Sequence, residues 1–214
     1  GGGAKLVRAL AHQTLGRGMF QIIHAETFGA VSGGLGDQTD IRIACGQDET
    51  LPHVHLAFNA GLDEADGEIV LFLDCGLIDD LAADTVAKAV SLIRGATIPP
   101  EPGLPAPAVL IPGHAIDGLS PFSEPCWAGL ACYRADAIRS GGYDQCEYFF
   151  GRLGGAAELA WRLANIGHPL LDIEAAPIDP APLIEAPAQG QAPGRYFVAH
   201  RLWPHLFEPH SEPV

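Results

Sequence analysis

Ile69-Val70-Leu71-Phe72-Leu73-Asp74 is the stretch that decides the fold. Its unbroken apolar run, rich in β-branched and aromatic side chains, is too short for an ordinary helix and reads as a strand buried on both faces of a parallel sheet. The strand closes on an aspartate. In open α/β sheets ligands sit beyond the carboxyl ends of the strands, so Asp74 is a candidate site residue.

Strands alternate with helices on either side of this segment. Helical spacing of Leu6, Val7, Leu10 and Ala11 predicts a helix over Lys5 to Leu15, closed by Gly16-Arg17-Gly18. Phe20 to His24 and Ile41 to Cys45 read as short strands around a Gly-rich loop. Leu51 to Leu62 reads as a helix, and a second helix over Leu81 to Arg94 has Asp79 or Asp80 as its cap. After a proline-rich break follow a strand at Ala108 to Ile111, an extended segment at Trp127 to Tyr133 and a helical turn at Ala135 to Ser140. A helix at Ala156 to Ile166 and a strand at Leu170 to Ile173 complete the series. This order implies one α/β layered domain over residues 1–174, with a largely parallel sheet. Residues 175–194 are rich in Ala and Pro and read as a linker or wrapping arm; 195–214 form a C-terminal segment that alternates aromatic and basic residues.

Composition narrows the function. The chain of 214 residues carries 12 Lys+Arg against 26 Asp+Glu, a formal charge of −14 that repels nucleic acid and anionic lipid. A phosphate-ester ligand on such a protein calls for a divalent cation or a few placed donors. No apolar run approaches the roughly 20 residues that span a bilayer. The 5 cysteines are odd in number and form no C-x-x-C pair, so they read as buried free thiols of a reducing, cytoplasmic setting. His53 and His55 are spaced like neighbours on one strand face, and His200, His205 and His210 do not align on a helix; neither set reads as a metal cluster.

Ala57-Phe58-Asn59-Ala60-Gly61-Leu62 followed by Ala65-Asp66-Gly67-Glu68 and the strand ending in Asp74 resembles the A-R-N-x-G…A-x-G-E…F-L-D stretch of family 2 glycosyltransferases. Downstream, Trp127-Ala128-Gly129-Leu130, Gly141-Gly142-Tyr143-Asp144 and Glu158-Leu159-Ala160-Trp161-Arg162-Leu163 resemble the family's acceptor-side pattern, in which a GGFDE motif precedes an E-D-x-D-L-x-x-R-L segment. The resemblance covers most of residues 4–174. It implies the GT-A fold, a mixed and mostly parallel sheet flanked by helices. It also implies transfer of a sugar from a nucleotide-diphosphate donor to a glycan or other hydroxyl acceptor, as in cell-surface or polysaccharide synthesis, assisted by Mn²⁺ or Mg²⁺.

Carried over position by position, the resemblance implies Glu26, Asn59 and Asp74 for the nucleotide and Asp74 with Asp179 for the metal. It implies Trp127, Gly129, Asp144 and Arg162 for the acceptor, and Glu158 or the nearby Glu147 as general base. The chain also departs from the pattern. Asp74-Cys75-Gly76 lacks the second aspartate of the D-x-D pair, the base position falls on Gly155 and Ala156, and the arginine of A-R-N is Phe58. The family's opening V-S-V-I-I-P-x-Y-N strand is not among these residues, so the unpaired edge of its neighbours falls to residues preceding Gly1, to another segment or to a second copy or partner chain. Two readings follow: a metal-assisted glycosyltransferase, or a catalytically inactive GT-A domain that binds a glycan, nucleotide or protein. Each site residue has a plainer alternative as well. Asp74 suits a turn, Asn59 and Gly61 a helix cap and packing, Trp127 the core, and Glu158 with Arg162 an i,i+4 ion pair.

Overall fold

A computed structural model of the chain describes residues 2–27, 38–45, 53–78, 80–95, 105–114, 126–145 and 156–179. Within these, α1 (Gly2–Ala11) leads through a 3-10 turn, Arg17–Met19, to β1 (Ile23–Glu26) and β2 (Ile41–Ala44). Next come α2 (Val54–Glu64), β3 (Ile69–Leu73), α3 (Thr85–Ile93), β4 (Ala108–Pro112) and β5 (Trp127–Tyr133). The series closes with α4 (Arg134–Arg139), α5 (Ala157–Asn165) and β6 (Leu170–Asp172). Every helix and strand expected between residues 5 and 173 is present, with shifted ends. Residues 195–214, most of the Pro/Ala-rich arm, Asp79, Cys146, Glu147 and Gly155 lie outside the described residues.

The strands form a four-stranded sheet in the order β3-β5-β4-β6 and a separate pair, β1-β2. β1 and β2 run parallel, as do β4 and β6, while β5 is antiparallel to both β3 and β4. The sheet is mixed, as the resemblance implies: β3, β4 and β6 share one direction and β5 alone runs against them. The apolar run of β3 reports helices on both faces, and it says nothing about the direction of the next strand. Val70 and Phe72 face a core built with Val54, Phe58 and Leu62 of α2 and Leu159, Ala160 and Leu163 of α5. On the other face Leu71 and Leu73 meet Leu6 of α1, and Ile69 and Leu71 meet Ala89, Leu92 and Ile93 of α3. The result is three layers, helix on sheet on helix.

Small residues make the middle of the sheet passable. A Cβ at Gly129 would lie 2.7 Å from Leu73 Cδ2 and 2.9 Å from the Phe72 carbonyl, so β5 can pass between β3 and β4 only with glycine there. Gly129, expected at the acceptor, is thus a packing residue of the central strand. The arm begins with contacts of its own: Ile178 N–H donates to the Leu170 carbonyl at 2.9 Å, and Pro177 bridges Leu171. Residues 176–178 fold back along β6 and do not leave the domain.

α1 joins the two sheets. Its Leu6 packs on the β3 side, while Val7 packs on Ile22 at the start of β1. The buried Gln13 ties the end of α1 to α3: its Nε2 donates to the Ala82 carbonyl at 2.9 Å and its Oε1 accepts from Val86 N at 3.0 Å. The α3 cap expected from Asp79 or Asp80 is therefore supplied across the fold. The N-cap residue itself, Asp84, makes no side-chain cap bond. Gln13→Leu leaves a buried amide and carbonyl without partners. It is expected to lower unfolding stability by about 2–4 kcal/mol, read as a lower urea midpoint at unchanged slope.

Candidate active site

The carboxyl ends of β1, β2 and β3 carry the first group of residues. Asp74 follows β3 and is buried; its amide donates to the Ala128 carbonyl at 2.8 Å and its Oδ1 accepts from Gly76 N at 2.9 Å. That second bond is an Asx turn, so the plain reading of Asp74 holds alongside any binding role. Glu26 closes β1, and its Oε2 lies 3.7 Å from His24 Nε2. Gly3, at the N-terminal end of α1, stands between the two strands: a Cβ there would lie 3.5 Å from His24 Nε2 and 3.9 Å from Cys75 Sγ.

The carboxylates at this end act on its thiols. Desolvation, then the carboxylates of Asp74 and Glu26, push the Cys75 thiol up to about 11. Burial and Glu26 likewise raise the Cys45 thiol beyond the end of β2. Glu26 and Asp74, paired in the sequence only by resemblance, thus act on one thiol. Cys126 and Cys132 are buried free thiols as expected, but Cys75 is exposed and Cys45 half-buried.

Trp127 adjoins this end as the first residue of β5. It is buried, its carbonyl accepts from Ala156 N at 2.9 Å, and its indole Nε1 has no hydrogen-bond partner among the described residues. Asp179 lies elsewhere. It is exposed and next to Ile178, which pairs with the first residue of β6, so it sits at the opposite end of the sheet from Asp74. The fold does not bring these two expected metal ligands together. Among the described residues no three His, Cys, Asp or Glu side chains converge as a metal-ligand group.

The second group surrounds residues 140–145. Glu158 and Arg162 form the expected i,i+4 pair, and both are almost fully buried. Arg162 Nε donates to Glu158 Oε1 at 2.5 Å and its Nη2 to Oε2 at 2.8 Å; the same guanidinium donates to the carbonyls of Ser140 and Gly142. Glu158 Oε2 also accepts from Asp144 N at 3.1 Å. Both oxygens of Glu158 are thus engaged, a setting for an anchor and a poor one for a proton acceptor. From the other side Asn59 donates to the Tyr143 carbonyl at 2.8 Å and accepts from Tyr143 N at 2.7 Å. His55 Nδ1 donates to the Asp144 carbonyl at 2.6 Å.

His55 and Tyr143 belong to this group although residue-type reasoning gave them no role there. The usable signal was the i,i+4 spacing of His55 and Asn59 on one helical face. Tyr143 fills a ring cluster with His55, Phe58 and Phe72 at centroid distances of 5.0, 4.8 and 5.1 Å. Its hydroxyl is buried without a hydrogen-bond partner among the described residues, and desolvation raises its pKa well above the ordinary value. Tyr143→Phe removes an unsatisfied group and is expected to hold or raise the melting temperature. Asn59→Ala strands the Tyr143 amide and carbonyl and is expected to cost about 2–4 kcal/mol by chemical denaturation.

Burial is the largest influence on His55 and holds its pKa down at about 4, against the attraction of Glu158. A depressed folded pKa means stability that is complete above pH 6.5 and lost as pH falls toward 4, by about 3 kcal/mol at full development. Denaturation at pH 7 and at pH 4.5 is expected to show a smaller acid loss in His55→Gln than in the parent chain.

No protein-family model matches the chain, and no curated protein matches it. A solved structure that it resembles is the mannosyltransferase PcManGT from Pyrobaculum calidifontis in complex with GDP-Man and Mn²⁺, at a TM-score of 0.52 and 17% sequence identity. The match covers 94% of this chain and 57% of that one, so the chain spans just over half the length of that protein. At this identity the likeness shows fold: the chain has a mixed α/β, glycosyltransferase-like fold.

Proposed function

We propose that the chain is a glycosyltransferase domain of the GT-A type, akin to family 2, that binds a nucleotide-diphosphate sugar at the carboxyl ends of β1 and β3. The observation that carries this reading is the meeting of Glu26, Asp74 and the N-terminal end of α1 at that place, in a glycosyltransferase-like fold. Helix N-termini favour phosphate, and strand carboxyl ends are where α/β sheets bind ligands. The ordered motif series in the sequence supports the same assignment.

Two carboxylates and a diphosphate are a suitable donor set for Mn²⁺ or Mg²⁺. Mg²⁺ in particular is commonly held by one or two carboxylates plus substrate phosphates. Asp74 and Glu26 would hold the cation, which supplies charge neutralisation of the leaving diphosphate. This protein's residues have the remaining tasks. Asn59, proposed from the sequence as a nucleotide contact, acts by fixing Tyr143. Trp127 is proposed for the acceptor side from its place at the start of β5, next to Ala128, whose carbonyl takes the Asp74 amide. Asp144 and Arg162 shape the acceptor side through the 140–145 segment, Glu158 anchors that segment, and the base falls to Glu147. One further strand between β1 and β3, from residues preceding Gly1, from another segment or from another chain, would complete the sheet. The free thiols suit a reducing, cytoplasmic setting.

One observation favours the second reading, a binding domain without turnover: the carboxylate that survives from the family's base segment, Glu158, has both oxygens hydrogen-bonded. Thermal denaturation of the full chain with GDP, UDP, dTDP and CDP, each with and without Mn²⁺, tests the donor site. A metal-dependent rise with one nucleotide, about 3 kcal/mol at a hundredfold excess over Kd and lost in Asp74→Ala, is the expected outcome. A cooperatively melting protein indifferent to all four overturns the assignment. With binding present, transfer to added saccharide acceptors separates the enzyme from the binding domain.

A further inference from the structure

Residues 140–145 belong mostly to no helix or strand, yet side chains from two helices fix their backbone. α5 contributes Arg162, on the carbonyls of Ser140 and Gly142, and Glu158, on the amide of Asp144. α2 contributes Asn59 on both backbone groups of Tyr143, His55 on the carbonyl of Asp144 and His53 on that of Gln145 at 3.3 Å. Backbone clearance is minimal: Gly142 has φ +66°, and a Cβ there would lie 2.5 Å from Asn59 Oδ1.

The contacts have a direction. Passing from Tyr143 to Gln145, the partners step back along α2 from Asn59 to His55 to His53, so the segment runs antiparallel to that helix. Gly61, late in α2, packs near Ile23 at the start of β1, so α2 is antiparallel to β1 and its first turn lies at the end that carries Glu26. The segment therefore leads toward the proposed donor site.

A buried ion pair is commonly worth no more to stability than apolar side chains of the same volume. Arg162 uses its remaining donors on backbone carbonyls of a non-helical segment, so what the pair secures is the position of that segment. We propose that Asn59, Glu158 and Arg162 hold Tyr143–Gln145 as a preset wall of the proposed site, fixed before any substrate binds. The wall's role rests on the function proposed above; its rigidity does not.

Amide hydrogen exchange of the full chain tests this. The Tyr143 and Asp144 amides, bonded to Asn59 Oδ1 and Glu158 Oε2, are expected to be protected by about a hundredfold or more without ligand, and equally with GDP and Mn²⁺. In the paired variant Glu158→Leu/Arg162→Met, with cooperative melting kept, protection at Asp144 is expected to fall by about tenfold or more. Should that variant not fold, Asn59→Ser reads the same loss at Tyr143. Fast exchange in the free protein, protection gained only with nucleotide, or a folded variant that keeps full protection each overturns the proposal. A parent chain that binds no nucleotide but shows the protection removes the functional assignment and leaves the preset segment standing.

Discussion

The buried Glu158–Arg162 pair is the constraint on which much of the remaining structure hangs. It places two charges out of water, and each must be fully hydrogen-bonded to be tolerated. The fold meets that requirement with the backbone of residues 140–145, which in turn gives Tyr143 and Asp144 to Asn59 and His55. One ion pair on α5 thereby fixes a loop, and through the loop it fixes α2. Because α2 also covers β1 and β2, the pair helps to hold the strand pair against the four-stranded sheet. α1 supplies the second tie, from Val7 on one sheet to Leu6 and Gln13 on the other.

That arrangement sets the chemistry at the strand ends. Glu26 and Asp74 belong to different sheets, and their proximity depends on the two ties. In a strongly acidic chain the carboxylates that end β1 and follow β3 raise the Cys75 thiol and disfavour a bare anion. The same charges make a divalent cation the natural companion of any diphosphate there. Phosphate groups would approach along the N-terminal end of α1, where the electrostatics are favourable.

Much of this was legible in the sequence, for identifiable reasons. Element order followed from periodicity, the strand-end place of Asp74 from the apolar run before it, and the Glu158–Arg162 pair from i,i+4 spacing. A mixed, mostly parallel sheet was legible, but which strand is reversed was not, because the β3 run reflects only that both of its faces are covered. The helix cap on α3 was missed since the acceptor of its Val86 N–H, Gln13 Oε1, is distant in the chain. Asp179 was misplaced relative to Asp74 because a match to a motif carries no knowledge of the hairpin that turns residues 176–178 back along β6. Glu158 was legible as an ion pair, while its loss of free oxygens became visible only with the Asp144 amide in place. Gly129 was assigned to the acceptor by resemblance, whereas its lack of a side chain is required by Leu73 and Phe72.

The central claim concerns where a cation and a nucleotide meet the chain, and Mn²⁺ reports its own position by broadening nearby amide resonances. In a spectrum of the isotope-labelled chain with GDP, substoichiometric Mn²⁺ is expected to broaden residues 24–26 and 74–76 first and to spare residues 176–179 at the far end of β6. Broadening confined to exposed acidic residues away from the strand ends, or unaffected by the nucleotide, would contradict it.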